Sequence, residues 1–338
     1  MAFFEIIKPG THIDFVRFAK PAALLSATLI VIGLAAIPVQ GFRLGIDFAG
    51  GTEVQVNFPG DTPVSDSAIR DAIGGIVSDV SVVRFGAVDS REYLIKFRGE
   101  QGEKGEIVDQ IMSALREGLG DAREDRVEFV GPKVGQELRG DGLRALGVAG
   151  LMVLIYIAFR FTTRFAPGAI VAVLHDVLVT GGLFVLMGME FDLRVLAAML
   201  AIVGYSLNDT IIIYDRIREN MEIRTKSDLP EVINHSINQT LSRTILTSGT
   251  TLLAVAALLV IGGEVIRPFA IAMFIGIVVG TYSSIYIAAP TLLVLEAWAK
   301  RGKSNPSGGK SSSGGGKSAP GGKTGARTKP KKAKASRA

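Results

Sequence analysis

The sequence contains no cysteine, which excludes disulfides and thiolate metal sites. Histidine is scarce: His12, His175 and His235 are the only three, and no two stand at a metal-ligand spacing. A structural zinc site is thereby excluded and no cofactor is expected. Acidic residues are missing from the final stretch, where Lys300 to Ala338 holds twelve Lys and Arg and no Asp or Glu. This stretch repeats Gly-Gly-Lys-Ser/Thr, as at Gly316-Lys317-Ser318. No Gly stands six residues before any of these lysines and no strand leads in, so the repeat is not a phosphate-binding loop. No ATP site is expected in the chain.

What is abundant is apolar sequence. The 338 residues are 48% hydrophobic, with mean hydropathy +0.37, and the apolar residues come in runs. This composition indicates an integral membrane protein, mainly α. The net charge of +5 comes from the tail: without its twelve basic residues, 32 Asp and Glu outnumber what remains of the 37 Lys and Arg. The tail, 299–338, is Gly-, Ser-, Lys- and Pro-rich, has nothing to form a core and is expected to be disordered. Beside a membrane it suits anionic lipid, with ribosomal RNA as the alternative; no DNA partner is expected.

Six apolar spans are predicted: Pro21–Val39, Leu143–Phe159, Phe165–Gly188, Leu193–Tyr214, Thr244–Gly262 and Ile266–Leu295. Each is near or above the length that about 30 Å of hydrocarbon requires. Lys8, Arg17 and Lys20 precede the first span, Arg160 and Arg164 follow the second, and Arg216, Arg218, Arg224 and Lys226 follow the fourth. In a six-span chain these segments and the tail fall on one side. The positive-inside rule makes that side cytoplasmic, with both termini. The predicted division is a cytoplasmic segment 1–20, a first span 21–39, an outward domain 40–138, five spans within 139–298 with a cytoplasmic loop 215–242, and the tail. No cleavage site of the Ala-x-Ala kind follows the first span, so it is read as an uncleaved anchor.

The outward segment, Gln40 to Leu138, alternates elements. Strands are predicted at Glu53–Phe58, Val80–Val88, Glu92–Phe97 and Asp125–Val130, with a turn at Asp89-Ser90-Arg91. Helices are predicted at Val64–Ile76, opened by Thr62 and Pro63, and at Lys104–Gly118. The order β-α-β-β-α-β is the split pattern of a small ferredoxin-like α+β domain. It carries no nucleophile, acid/base pair or metal set, which favours binding or mechanical coupling over catalysis. Gly45, Gly50 and Gly51 flank Ile46-Asp47-Phe48-Ala49 and call for positive φ or close backbone approach. Asp47 is expected to cap a turn there.

The spans hold costly polar residues. An ionised Asp at a helix centre costs about 2.5–3.5 kcal/mol on insertion scales, so Asp209 in the fourth span is a functional candidate. Ser206 shares its face at i−3, and Tyr205 lies one turn before. In span three Gly168, Ala172, Asp176 and Thr180 form one small and polar face. Asp176 there either relays protons or hydrogen-bonds a neighbouring helix, and His175, on another azimuth, either titrates or is structural. Arg243 opens span five, either snorkelling at the boundary or tuning and pairing with Asp209. Gly276, Gly280 and Ser284 form a packing stripe in span six. Asp228-Leu229-Pro230-Glu231 reads as a helix start, followed by an amphipathic face of Leu229, Val232, Ile233, Ser236, Ile237 and Thr240 expected to lie along the membrane surface.

These residues carry a resemblance. The run VGYSLNDTIIIYDRIREN, Val203 to Asn220, and the run NHSINQTLSRTILTSGTTLL, Asn234 to Leu253, resemble consecutive segments of the SecF branch of the SecD/SecF protein-export family. GIDFAGGT, Gly45 to Thr52, resembles the motif that opens that family's outward domain. The His175-Asp176 pair and Ile13-Asp14-Phe15 fit as well, so the resemblance covers about residues 5 to 298. It implies a bacterial inner-membrane subunit with residues 40–138 periplasmic. It implies pairing with SecD, work beside the SecYEG channel, YajC and YidC as further neighbours, and unfolded polypeptide as the cargo. It implies protons as the coupling ion, as in the resistance-nodulation-division superfamily, with the proton-path aspartate on Asp209 and its arginine on Arg243. Two other readings are a proton-coupled exporter of lipids or small molecules, disfavoured by the small outward domain, and a passive scaffold.

Overall fold

The computed structural model describes residues 12–59, 64–77, 80–85, 91–98, 104–160 and 164–303. The basic tail beyond Lys303, the Thr62-Pro63 helix opener, and Asp89 and Ser90 of the expected turn lie outside the described residues.

Helix α1 (Phe15–Gln40) starts before Pro21 because Asp14 caps it, accepting a hydrogen bond from the Arg17 amide at 3.2 Å. A one-turn helix α2 (Ile46–Ala49) then leads into strand β1 (Gly51–Asn57). Helix α3 (Asp66–Ile73), capped by Ser65, strands β2 (Ser81–Phe85) and β3 (Glu92–Phe97), helix α4 (Lys104–Leu119) and strand β4 (Arg123–Val130) complete the domain. All strand pairs are antiparallel and the sheet order is β2-β3-β1-β4. This order is the one the split β-α-β pattern requires: β1 sits between the two later strands. Alternation puts Val54 and Val56 of β1 beneath the helices with Ile95 and Phe97 of β3. They meet Ile69 and Ile73 of α3 and Ile111 and Leu115 of α4, all buried. Each such side chain contributes about 1.5–3 kcal/mol by leaving water.

The membrane part comprises α5 (Pro132–Arg160), α6 (Ala166–Leu186), α7 (Leu193–Ile223), α8 (Leu229–Ile261), α9 (Gly263–Ser283), a π-turn (Ser284–Ala288) and α10 (Ala289–Lys303). Six of the helical stretches are long and apolar enough to cross a membrane. α5 begins at Pro132, ahead of Leu143 and of the drawn boundary at 138, because proline suits a first helical turn. Segment 215–242, expected as a loop, is helical except for Arg224–Asp228. The amphipathic face after Asp228 is not laid out flat. It continues unbroken into α8 and buries Val232, Ile233 and Ile237 against Ile213, Tyr214 and Ile217 of α7. The apolar stripe found protein to cover it, and nothing between Glu231 and Ile261 breaks the helix.

α7 lies at the centre, against α6, α8 and α9. The glycine stripe of α9 makes that approach: a Cβ on Gly276 would collide with Ile202, and one on Gly280 would come 3.2 Å from Ser206 Cβ. α1 meets α6 in the same way, a Cβ on Gly33 lying 2.7 Å from Gly182 Cα. The π-turn precedes Pro290, which has no amide hydrogen to donate. There the Tyr214 hydroxyl donates to the Ala288 carbonyl at 2.8 Å.

The joint between domain and membrane is tight. Gly50 has φ +79° and faces Pro132, and a Cβ on Gly51 would lie 2.7 Å from the Phe97 carbonyl oxygen. Both expected demands on these glycines are therefore met. Asp47 does not cap its own turn. Its Oδ2 accepts from the Leu193 amide at 3.1 Å, so it caps the start of α7, beside Asp192, which accepts from the Val195 amide at 2.9 Å. The Gly45 amide donates to the Phe191 carbonyl at 3.0 Å. Lys96 of β3 lies 3.7 Å from Glu53 and 4.0 Å from Glu190 of the α6–α7 turn.

Candidate functional site

α7 carries Asp209 into the middle of the bundle, where it is 2% exposed. Helical spacing puts Ser206 and Asp209 near one face, yet their side chains part to different neighbours. Asp209 Oδ2 accepts from Ser248 of α8 at 3.3 Å. The Ser248 hydroxyl is also 2.7 Å from that of Thr281 on α9. Asp209 Oδ1 accepts no hydrogen bond among the described residues, and the hydroxyls of Thr210 and Thr244 are likewise buried without a partner. A buried acceptor left open in this way is costly. Tyr205 turns away from Asp209 and donates to Thr251 at 3.4 Å.

Arg243 of α8 is exposed on the bundle surface. It makes no ion pair with Asp209 within 4.0 Å among the described residues, although its charge acts on that carboxyl. The two are neighbours and not partners in this arrangement.

Asp176 of α6 is as buried as Asp209 but differently served. Its Oδ2 accepts from Ser206 of α7 and, at 2.8 Å, from Ser283 of α9. Its Oδ1 meets His175 Nδ1 at 2.8 Å. The expected face of Gly168, Ala172, Asp176 and Thr180 is buried throughout. His175 and Asp176 differ by about 100° around the helix, which is why the sequence separated them; side-chain rotation brings their tips together.

Sequence reasoning missed Ser248, Thr281 and Ser283. Their only signal was a run of hydroxyls in spans five and six, common in membrane helices and uninformative until the packing is known. No group of three His, Asp or Glu able to hold a metal occurs among the described residues.

The family model for the C-terminal part of the protein export membrane proteins SecD/SecF matches residues 110–298, and that for the SecD/SecF GG motif matches residues 35–58. The chain is 43% identical over 309 residues to the protein translocase subunit SecF of Calditerrivibrio nitroreducens, covering 88% of this chain and 99% of that one. It is 41% identical to the SecF subunit of Vibrio alginolyticus, over 86% and 92% of the two chains. Among solved structures it is similar to SecDF, a translocon-associated membrane protein from Thermus, with TM-score 0.73 and 37% identity over 86% of this chain. It spans only 39% of that SecDF chain. A second SecDF structure, in a super-membrane-facing form, gives TM-score 0.67 at 34% identity. Motifs, six spans, split α+β domain and these similarities agree: the chain is a multi-pass membrane protein of the SecD/SecF protein-export family.

Proposed function

We propose that the chain is the smaller half of a proton-driven export unit, working with a SecD-type partner beside the SecYEG channel to draw unfolded polypeptide across the bacterial inner membrane. The observation that carries this reading is Asp209: a carboxyl buried among helices with one hydroxyl donor and one open oxygen. Protons are the coupling ion, Asp209 and Arg243 form the central pair, and Asp176 supports them from α6. A charge crossing 100 mV releases about 2.3 kcal/mol, which shifts a two-state equilibrium by roughly fifty-fold. Protonating Asp209 alters its hold on Ser248 and hence the seating of α7 against α8. α7 then passes the change to Asp47 and the glycine turn that starts β1.

Positive residues gather at one end of the bundle, where Arg160 pairs with Asp215 and Arg164 with Glu296. That end is read as cytoplasmic with both termini, which makes 40–138 periplasmic. ATP is used elsewhere in the machinery, the basic tail meets anionic lipid, and YajC and YidC are further neighbours. The test is precursor export in cells carrying Asp209→Asn, with levels of the chain and its SecD-type partner checked by blot. Accumulating precursor with the complex intact supports the reading. Normal export would favour a scaffold.

A further inference from the structure

We propose that His175 and Asp176 form a second proton-binding site, with His175 Nε2 as the acceptor and Asp176 as the group that positions the ring. Two hydroxyls donate to one oxygen of Asp176, from Ser206 and Ser283, and His175 Nδ1 meets the other at 2.8 Å. Asp176 is taken as a carboxylate, which only accepts, and the proton shared with the ring then sits on Nδ1. That fixes the less common neutral tautomer and leaves the Nε2 lone pair free. Nε2 is buried and has no partner among the described residues.

A proton on Nε2 turns a buried carboxylate with a neutral ring into an ion pair with no net charge. The cost of an isolated charge among apolar helices falls accordingly. Access is at hand. His175 lines a groove of about 630 Å³ between α1, α6, the π-turn and α10, walled mostly by aliphatic side chains. The other titratable groups there are few: Lys20 from α1 and Tyr286 from the π-turn line the same groove, and the Tyr282 ring of α9 lies 6.1 Å from the imidazole. The Tyr282 hydroxyl is held by Ser26 and by the Ala22 carbonyl of α1. From α7 only the Ser206 hydroxyl reaches Asp176, and Asp209 turns to α8.

The site is tied to Asp209 through α9. Thr281 bonds the hydroxyl that serves Asp209, and Ser283, two residues on, serves Asp176. The use of this proton in export rests on the reading above; its binding does not.

The experiment is a nitrogen-15 NMR titration of the full chain in lipid, with His12→Gln and His235→Gln leaving one labelled ring. From about pH 8 to about pH 5, the expected result is a neutral ring protonated on Nδ1 that gains a second proton on Nε2. In Asp176→Asn the fixed tautomer and the titration are both lost. A wild-type ring protonated on Nε2 at the alkaline end, or one that stays neutral throughout, overturns the proposal, and neither result depends on the variant folding. If export survives Asp209→Asn while His175 still titrates, the export reading fails and this one stands.

Discussion

Two aspartates lie within the same bundle, one on α6 and one on α7, and their surroundings differ. Asp176 accepts from Ser206 of α7 and Ser283 of α9 on one oxygen, and its other oxygen meets His175 Nδ1. Asp209 accepts from Ser248 of α8 at 3.3 Å, has the Thr247 hydroxyl of that helix acting on it, and keeps an oxygen open. Residue type and burial are the same; the number of donors is not. A carboxylate satisfied on every side joins helices, whereas an underserved one is ready to change its protonation or its partners. On the proposed function, the placing of donors separates a joint from a moving part, and burial alone does not.

The largest test of this contrast is stability. Asp176→Ala removes the partner of two buried hydroxyls and a buried ring nitrogen and is expected to cost about 3 kcal/mol or more. Asp209→Ala, losing one long hydrogen bond, is expected to cost under about 1 kcal/mol. Thermal unfolding of the purified full chain in detergent compares them, and equal losses would erase the distinction. The donors should split in the same way. Ser283→Ala is expected to lose about 1.5–3 kcal/mol, since its partner is charged, and Ser248→Ala about 0.5–1.5 kcal/mol. Of the two, Ser248→Ala should change the pH profile of proton flux more.

A third change separates proton binding from mechanical output. Asp47→Ala removes a cap on α7 worth about 0.5–2 kcal/mol and the link from that helix to the glycine turn. The expected phenotype is proton flux that persists while export falls. Flux and export falling together would mean that Asp47 serves the membrane site itself.

The smallest effect concerns a carboxyl outside the membrane. Burial pushes Glu53 above its ordinary value of 4.5, with Lys96 opposing. The folded domain then holds this proton more tightly than the unfolded chain. Its contribution to stability is greatest below about 4.5 and is lost as pH rises through the folded value. Glu53→Gln is expected to flatten the dependence of Tm on pH and to raise Tm slightly near neutrality. A steeper dependence would show that the Lys96 contact outweighs burial.

The sequence made the outline legible. Alternation located β1 and β3 nearly to the residue, and hydropathy found six spans, because burial in lipid or beneath a sheet acts on each segment locally. Helix ends were less legible. Pro21 looked like a start, but Asp14, about two turns earlier, had the better capping group. The stripe after Asp228 looked like a surface helix because its covering surface, on α7, is brought to it only by folding. At the site, Asp209, Asp176 and Arg243 stood out by cost alone, yet their partners did not. Ser206 lies one helical turn before Asp209 and serves Asp176. Asp47 caps a helix 146 residues away. Such pairings depend on helix rotation and contact, which no spacing rule contains.

Proton movement out of energised inverted membrane vesicles containing the complete complex, followed with a pH-sensitive dye while a precursor is being translocated, tests the central claim most directly. The account predicts that Asp209→Asn abolishes the translocation-linked proton signal with the complex intact. An undiminished signal in that variant would contradict it.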